Sequence, residues 1–206
     1  MSKFGRIADV KSKYDTNKEI LLTGKGPSLS LLNENSHVGK YVACINESAT
    51  LFEKVDFNFF NDSDLILNFK DHNYSFSKIE NLIVPMQPHV RRGPTKYTCN
   101  DLIKDYAQYD MTIYTHKLFT QNMKIENAGV LFDDMSFGAV ASTYQIALNW
   151  LISVGFRKFH IYGITRHGGY QEQYKGPKPA SDGHYKHNYQ LGLNILNKHN
   201  CTYTIY

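Results

Sequence analysis

The sequence predicts an α/β domain with a mostly parallel central sheet and helices on both faces. Three observations carry that reading. Short apolar runs alternate with helical or turn-rich stretches almost throughout, most runs are too apolar for one side to face water, and the first run empties directly into a glycine turn. At 206 residues the chain is long enough for one domain with a proper core. Residues 1–18 read as a polar arm or short helix, and 19–206 as the domain itself.

The elements follow in order. Glu19–Thr23 is a buried strand that ends in Gly24-Lys25-Gly26-Pro27-Ser28, and Ser28–Leu32 opens a short helix. Tyr41–Asn46 is the second strand, Glu47–Lys54 is helical, and Asp56–Asn61 is the third strand, ending in Asn61-Asp62. Asn81–Val84 is the fourth, stopped by Pro85 before a proline-broken loop that carries Arg91-Arg92. A helix over Asp101–Tyr109 and short strands at Met111–Tyr114 and Val130–Phe132 come next. From Phe137 to Val154 apolar residues recur at helical spacing until Gly155 stops them. Arg157–Tyr162 is a strand closed by Gly163, residues 164–183 form a long Gly/Pro-rich loop, His184–His199 is helical, and Cys201–Tyr206 is a last strand.

In open α/β sheets ligands sit at the carboxyl ends of the strands, near the point where strand order reverses. Gly24–Ser28, Asn46-Glu47, Asn61-Asp62 and Gly163 all fall at such ends, with Thr165-Arg166-His167 just beyond. Glycines let backbone approach an anion, Pro27 fixes a dihedral, and Ser28 can cap the helix whose first amides face the ligand. The six-residue glycine spacings of the P-loop and dinucleotide fingerprints are absent, so the turn is neither of these. Lys25 adds a cation suited to phosphate. Ser136-Phe137-Gly138 precedes the long helix and reads either as a second anion site or as a plain N-cap.

The ionisable chemistry collects in the loop after Gly163 and the final helix, where His167, His184 and His187 lie among Tyr170, Tyr174 and Tyr185. A histidine general base with tyrosines donating to a departing phosphate suits these residue types better than a metal, because His184 and His187 have no evident third ligand. A formal charge of +4 favours anionic ligands but is far from the basic stripe of a nucleic-acid binder. Three scattered cysteines give neither a zinc site nor a disulfide framework, and no apolar stretch is long enough for a membrane span. The start of the chain lacks the apolar core of a signal peptide, so the reading is a cytoplasmic protein.

GKGPSL (24–29), YVACIN (41–46), FNFFND (57–62), SFGAVASTYQIAL (136–148), FRKFHIYGI (156–164) and HYKH (184–187) occur in an order that resembles the bacterial sialyltransferases of glycosyltransferase family 42. They are also similar to related Rossmann-core proteins of the pterin-diphosphokinase-like group. The resemblance implies a Rossmann-like domain, a GT-A-type variant, that binds a nucleotide sugar, CMP-linked in that family, and needs no metal. It implies donor contacts from Gly24, Gly26, Ser28, Asn46, Asn61, Ser136 and Gly138, to which the strand-end reading adds Lys25, Pro27, Asp62, Gly163, Arg166 and His167. Tyr170 and Tyr174 would stabilise the leaving phosphate, and His187, with His184 as fallback, would deprotonate the acceptor hydroxyl. Arg91, Arg92 and Tyr185 are candidates for acceptor contacts. The chain departs from the family where Thr165-Arg166-His167 replaces an expected Asp, where Phe137 separates the Ser–Gly pair, and where HYKH is one residue short. The acceptor is therefore open between a glycan and a hydroxymethylated DNA base of viral origin, and so is the oligomeric state. Two other readings use the same core. One is a phosphoryl- or diphosphotransferase holding Mg²⁺ on Asp62, Asp133 and Asp134, and the other is a nucleotide-binding module without catalysis.

Overall fold

The computed structural model describes residues 3–61, 76–85, 104, 109–118, 131–133, 136–137, 142–167, 169–170 and 182–206. Ten strands make one sheet: β1 (Lys3–Phe4), β2 (Ile20–Thr23), β3 (Tyr41–Ile45), β4 (Val55–Phe59), β5 (Ile79–Pro85), β6 (Thr112–Leu118), β7 (Leu131–Asp133), β8 (Ser136–Phe137), β9 (Lys158–Tyr162) and β10 (Thr202–Ile205). Their order is β10-β9-β2-β3-β4-β5-β6-β8-β7, with β1 also paired to β6. Among the described residues every pairing is parallel except β7 with β8. The expected α/β Rossmann-like architecture is therefore present.

The chain lays down β2 through β6 in one direction, then returns to place β9 on the other side of β2. Strand order reverses between β2 and β9. Their carboxyl ends carry Gly24 and Gly163, so the glycine turn stands at the crevice that parallel sheets use for ligands.

Three α-helices, α1 (Ile7–Lys13), α2 (Thr143–Val154) and α3 (Asp182–Lys198), contribute buried residues to the larger core on one face of the sheet. Trp150 of α2 is the hub there, with ring centroids 5.5 Å from Phe57, 5.6 Å from Phe59 and 5.3 Å from Tyr114. Among the described residues the other face is covered by 3₁₀ turns at Pro27–Leu31, Asn46–Leu51 and Phe76–Lys78, which bury Leu29, Ala49 and Phe76.

Several local expectations need correction. The segment Glu47–Lys54, read as helical, holds only a 3₁₀ turn, which spans Asn46–Leu51. The long helix begins at Thr143, because Ser142 is its cap: Ser142 Oγ accepts from the Gln145 amide and the Gln145 side chain closes the box. Ser136 and Phe137 instead pair with β6, so the anion site expected at that helix N-terminus loses its helix. The N-terminal segment, read as a polar arm or short helix, does hold a short helix, α1, but it is no free arm: β1 pairs with β6, and Ile7, Val10 and Tyr14 are buried in the core.

Asp56, 7% exposed, accepts from the Val42 amide at 2.7 Å. Burial pushes its pKa up, against the pull of that amide and of Lys54. Asp56→Ala leaves the buried Val42 N–H without its partner and is expected to cost about 1–3 kcal/mol. Because the folded pKa lies above the unfolded one, the native state loses ground as pH rises from the ordinary aspartate value through the raised one. Asp56→Asn carries no such penalty. Urea midpoints over that window should drift in its favour relative to the unmodified chain, and a constant gap would contradict the assignment.

Candidate active site

The turn after β2 is built by close backbone approach. The Gly24 amide donates to the Tyr162 carbonyl at 2.8 Å, and the Gly26 amide to the Gly163 carbonyl at 2.8 Å. In return the Gly163 amide donates to Ser28 Oγ at 2.8 Å. A Cβ on Gly26 would lie 2.8 Å from the Gly163 carbonyl oxygen, and one on Gly163 would lie 2.7 Å from the Gly24 backbone. Gly163 also has a φ of +68°, a conformation that L side chains rarely adopt.

This geometry corrects the chemistry expected of the turn. The Gly24 and Gly26 amides are spent on β9 and do not face a ligand. Ser28 is not the cap, since Gly26 holds that position with no side-chain bond, and the helix is one five-residue 3₁₀ turn. Without a sustained helix dipole, a phosphate would have to be held here by side chains.

Lys25 is the side chain that the turn delivers. Its Nζ lies 2.9 Å from Glu47 Oε2, the two side chains being 13% and 6% exposed. The same ammonium sits 4.8 Å from the centroid of the Tyr170 ring, and Tyr170 meets Tyr185 of α3 edge-on at 6.0 Å. The loop after β9 thus folds back over the glycine turn, and Gly169 (φ +126°) takes the bend. An ammonium over an aromatic face in a desolvated site gains about 1–2 kcal/mol.

Glu47 is held by its own turn. Ser48 Oγ accepts from the Ile45 amide at 3.1 Å, lies 2.9 Å from the Thr23 carbonyl oxygen and 3.1 Å from Thr23 Oγ1, and so ties the ends of β2 and β3 together. Asn46 precedes it with a φ of 54°, which asparagine tolerates. Its Oδ1 is buried and has no partner among the described residues. Cys44 beneath this cluster is no nucleophile, because burial pushes its thiol up to about 12.

The structure therefore brings together Gly24, Lys25, Gly26, Ser28, Gly163 and Tyr170, with Asn46 at the next strand end and Tyr185 against Tyr170. Pro27 is exposed at the head of its turn, and Asn61 is half-buried two residues past β4. Arg166 and His167 are exposed, their loop held by a 2.6 Å bond from Thr165 Oγ1 to the His167 carbonyl. His187 lies on α3 two residues beyond Tyr185, with its side chain exposed. Asp62, Arg91, Arg92, Asp134, Gly138 and Tyr174 lie outside the described residues, as do the side chains of Asp133, Ser136 and His184. Glu47 was expected at this rim as a strand-end residue, but not as the partner of Lys25. The available signal was its position, directly after the strand beside the glycine turn, about 20 residues on, where dinucleotide folds place an acidic side chain.

Two outcomes follow from this geometry. Gly163→Ala combines a left-handed Cβ penalty of about 1–2 kcal/mol with overpacking of about 1–3 kcal/mol, so a large fall in the urea midpoint is expected. Lys25→Met takes the ammonium from a buried carboxylate and should cost about 3–5 kcal/mol, whereas Lys25→Met with Glu47→Leu should recover most of that loss. Equal stability of the single and double variants would show that the pair is not coupled.

No family model matches the sequence, and no curated protein matches it. Among solved structures the chain is similar to the Maf glycosyltransferase from Magnetospirillum magneticum AMB-1, with a TM-score of 0.54 over 96% of this chain at 11% identity. The chain spans 31% of that protein's length. No helix among the described residues is long and apolar enough to cross a membrane. At this identity the likeness shows a shared α/β fold.

Proposed function

We propose that this chain is a glycosyltransferase domain that takes its sugar from a nucleotide-sugar donor, CMP-linked as in the sialyltransferases it resembles. The observation that carries this reading is the assembly of Gly24–Ser28, Lys25, Glu47 and Tyr170 at the crevice between β2 and β9. The shared fold with a glycosyltransferase supports it.

In this reading the donor phosphate lies over the glycine turn. Lys25 reaches it by exchanging part of its contact with Glu47, and the Tyr170 hydroxyl donates to it. The nucleoside runs toward Asn46 and Asn61. His187 takes the proton from the acceptor hydroxyl, the oxygen forms a bond to the anomeric carbon, and the bond from that carbon to the phosphate oxygen breaks with its electron pair leaving on the nucleotide. Transfer of this kind requires no metal. The acceptor is a hydroxyl, on a glycan or on a hydroxymethylated DNA base.

The first test is thermal stabilisation by CMP, CDP, UDP and GDP. A nucleotide at 100 times its Kd stabilises the fold by about 2.7 kcal/mol, so the donor class shows as the largest shift. Failure of all four would sink the proposal. With the donor known, His187→Ala should lower transfer by about 10²–10⁴-fold while leaving nucleotide affinity unchanged. Full activity of His187→Ala and His184→Ala alike would remove histidine from the mechanism. EDTA that abolishes turnover would favour a Mg²⁺-dependent phosphotransferase instead.

A further inference from the structure

Asn58, in β4, is fully buried at 0% exposure, and neither its Nδ2 nor its Oδ1 has a hydrogen-bond partner among the described residues. Buried side-chain amides in folded proteins are ordinarily satisfied. Asn81 on the neighbouring strand shows the ordinary case: its Nδ2 donates to Tyr14 Oη and to the Asp56 carbonyl at 2.7 Å. A leucine at 58 would suit an apolar strand without leaving a donor and an acceptor empty, so the fold carries Asn58 at a cost.

Its place gives that cost a use. Parallel register pairs Thr23 with Cys44, Cys44 with Asn58 and Asn58 with Leu82, so all four side chains share one face of the sheet. Thr23 Oγ1 is bonded to Cys44 Sγ and Ser48 Oγ on that face. Asn58 comes next along the row, beside the turn that carries Asn46 and Glu47. The Asn46 Oδ1, one strand nearer the glycine turn, is unpartnered too. Two strand spacings of about 4.8 Å put Asn58 about 10 Å across the sheet from the phosphate turn at the end of β2, on the scale of a mononucleotide. An amide with both groups empty complements a planar ring edge that presents a donor beside an acceptor.

We propose that Asn58 is a specificity-determining residue that reads the nucleobase edge of the ligand, with Asn46 Oδ1 accepting from a ribose hydroxyl or an exocyclic amine beside it. This rests on the nucleotide reading of the site. Reaching Asn58 requires the turn at Asn46–Leu51 to yield as the base enters.

The test is calorimetric titration of the unmodified chain and of Asn58→Leu with CMP, UMP, AMP and GMP, together with the melting temperature of each protein. The unmodified chain should prefer one base by tenfold or more. Asn58→Leu should melt higher and bind the four within about twofold of one another. A merely structural asparagine would change the melting temperature and leave the ranking intact, which would overturn the proposal. Equal affinities in the unmodified chain would overturn it without touching the nucleotide reading. Absence of any nucleotide binding would end both. If Asn58→Leu does not fold, Asn58→Ala carries the same comparison of rankings.

Discussion

The site depends on one contact, the backbone-on-backbone packing of Gly24 and Gly26 against Gly163. The two segments lie at the reversal of strand order and are separated by more than a hundred residues. Three hydrogen bonds of 2.8 Å join them, two from the turn to β9 and one back to Ser28. Side chains at these positions would hold the strands apart. With them absent, the turn is pinned tightly enough to aim Lys25 at Glu47, and the loop after Gly163 can fold Tyr170 over the ammonium. The glycines thus act through geometry, because their amides are already used.

That lock sets the electrostatics. Lys25 does not offer a bare cation, since a carboxylate lies 2.9 Å away and an aromatic ring covers it. A phosphate entering the crevice competes with Glu47 in a region of low dielectric, so its gain is the difference between two ion pairs. Such a site binds an anion well only if the displaced carboxylate finds other hydrogen bonds. Glu47 and Asn46 bring two acceptors to the end of β3, the Oδ1 of Asn46 without a partner among the described residues, and a ligand with hydroxyl or amine donors suits them. A free phosphate does not, whereas a nucleoside attached to one does.

Much of the frame was legible because strands buried on both faces leave apolar runs, and Ile20–Thr23 and Tyr41–Ile45 are such runs. The glycine turn was legible for the same reason, as a break in a strand. The start of the central helix was not. Residues 137–141 are as apolar as the helix, and the pairing of Ser136 and Phe137 with β6 outweighs their local pattern. The sequence could not foretell that the glycine amides would be consumed, because that depends on Gly163, which only the return of β9 beside β2 brings near. At the N-terminus the short helix was open to reading, but its burial was not: Ile7 and Val10, three residues apart, are the signal of a packed face among surrounding charges.

Asn58 marks the limit of reading by pattern. β4 alternates Asp56 and Asn58 with apolar residues, a pattern that looks like a half-exposed strand, and only the register and the missing partners distinguish Asn58. Local rules break at functional positions because binding groups must stay unsatisfied until the ligand arrives. The fold can carry that cost because its other face is packed around Trp150, whose contacts with Phe57, Phe59 and Tyr114 join β4, β6 and α2. The larger buried cluster lies on the helical face, and the face covered by 3₁₀ turns holds two smaller ones. Phe57 and Phe59 flank Asn58 on the strand and point into that helical core, so β4 is anchored from one side while it presents an empty amide on the other.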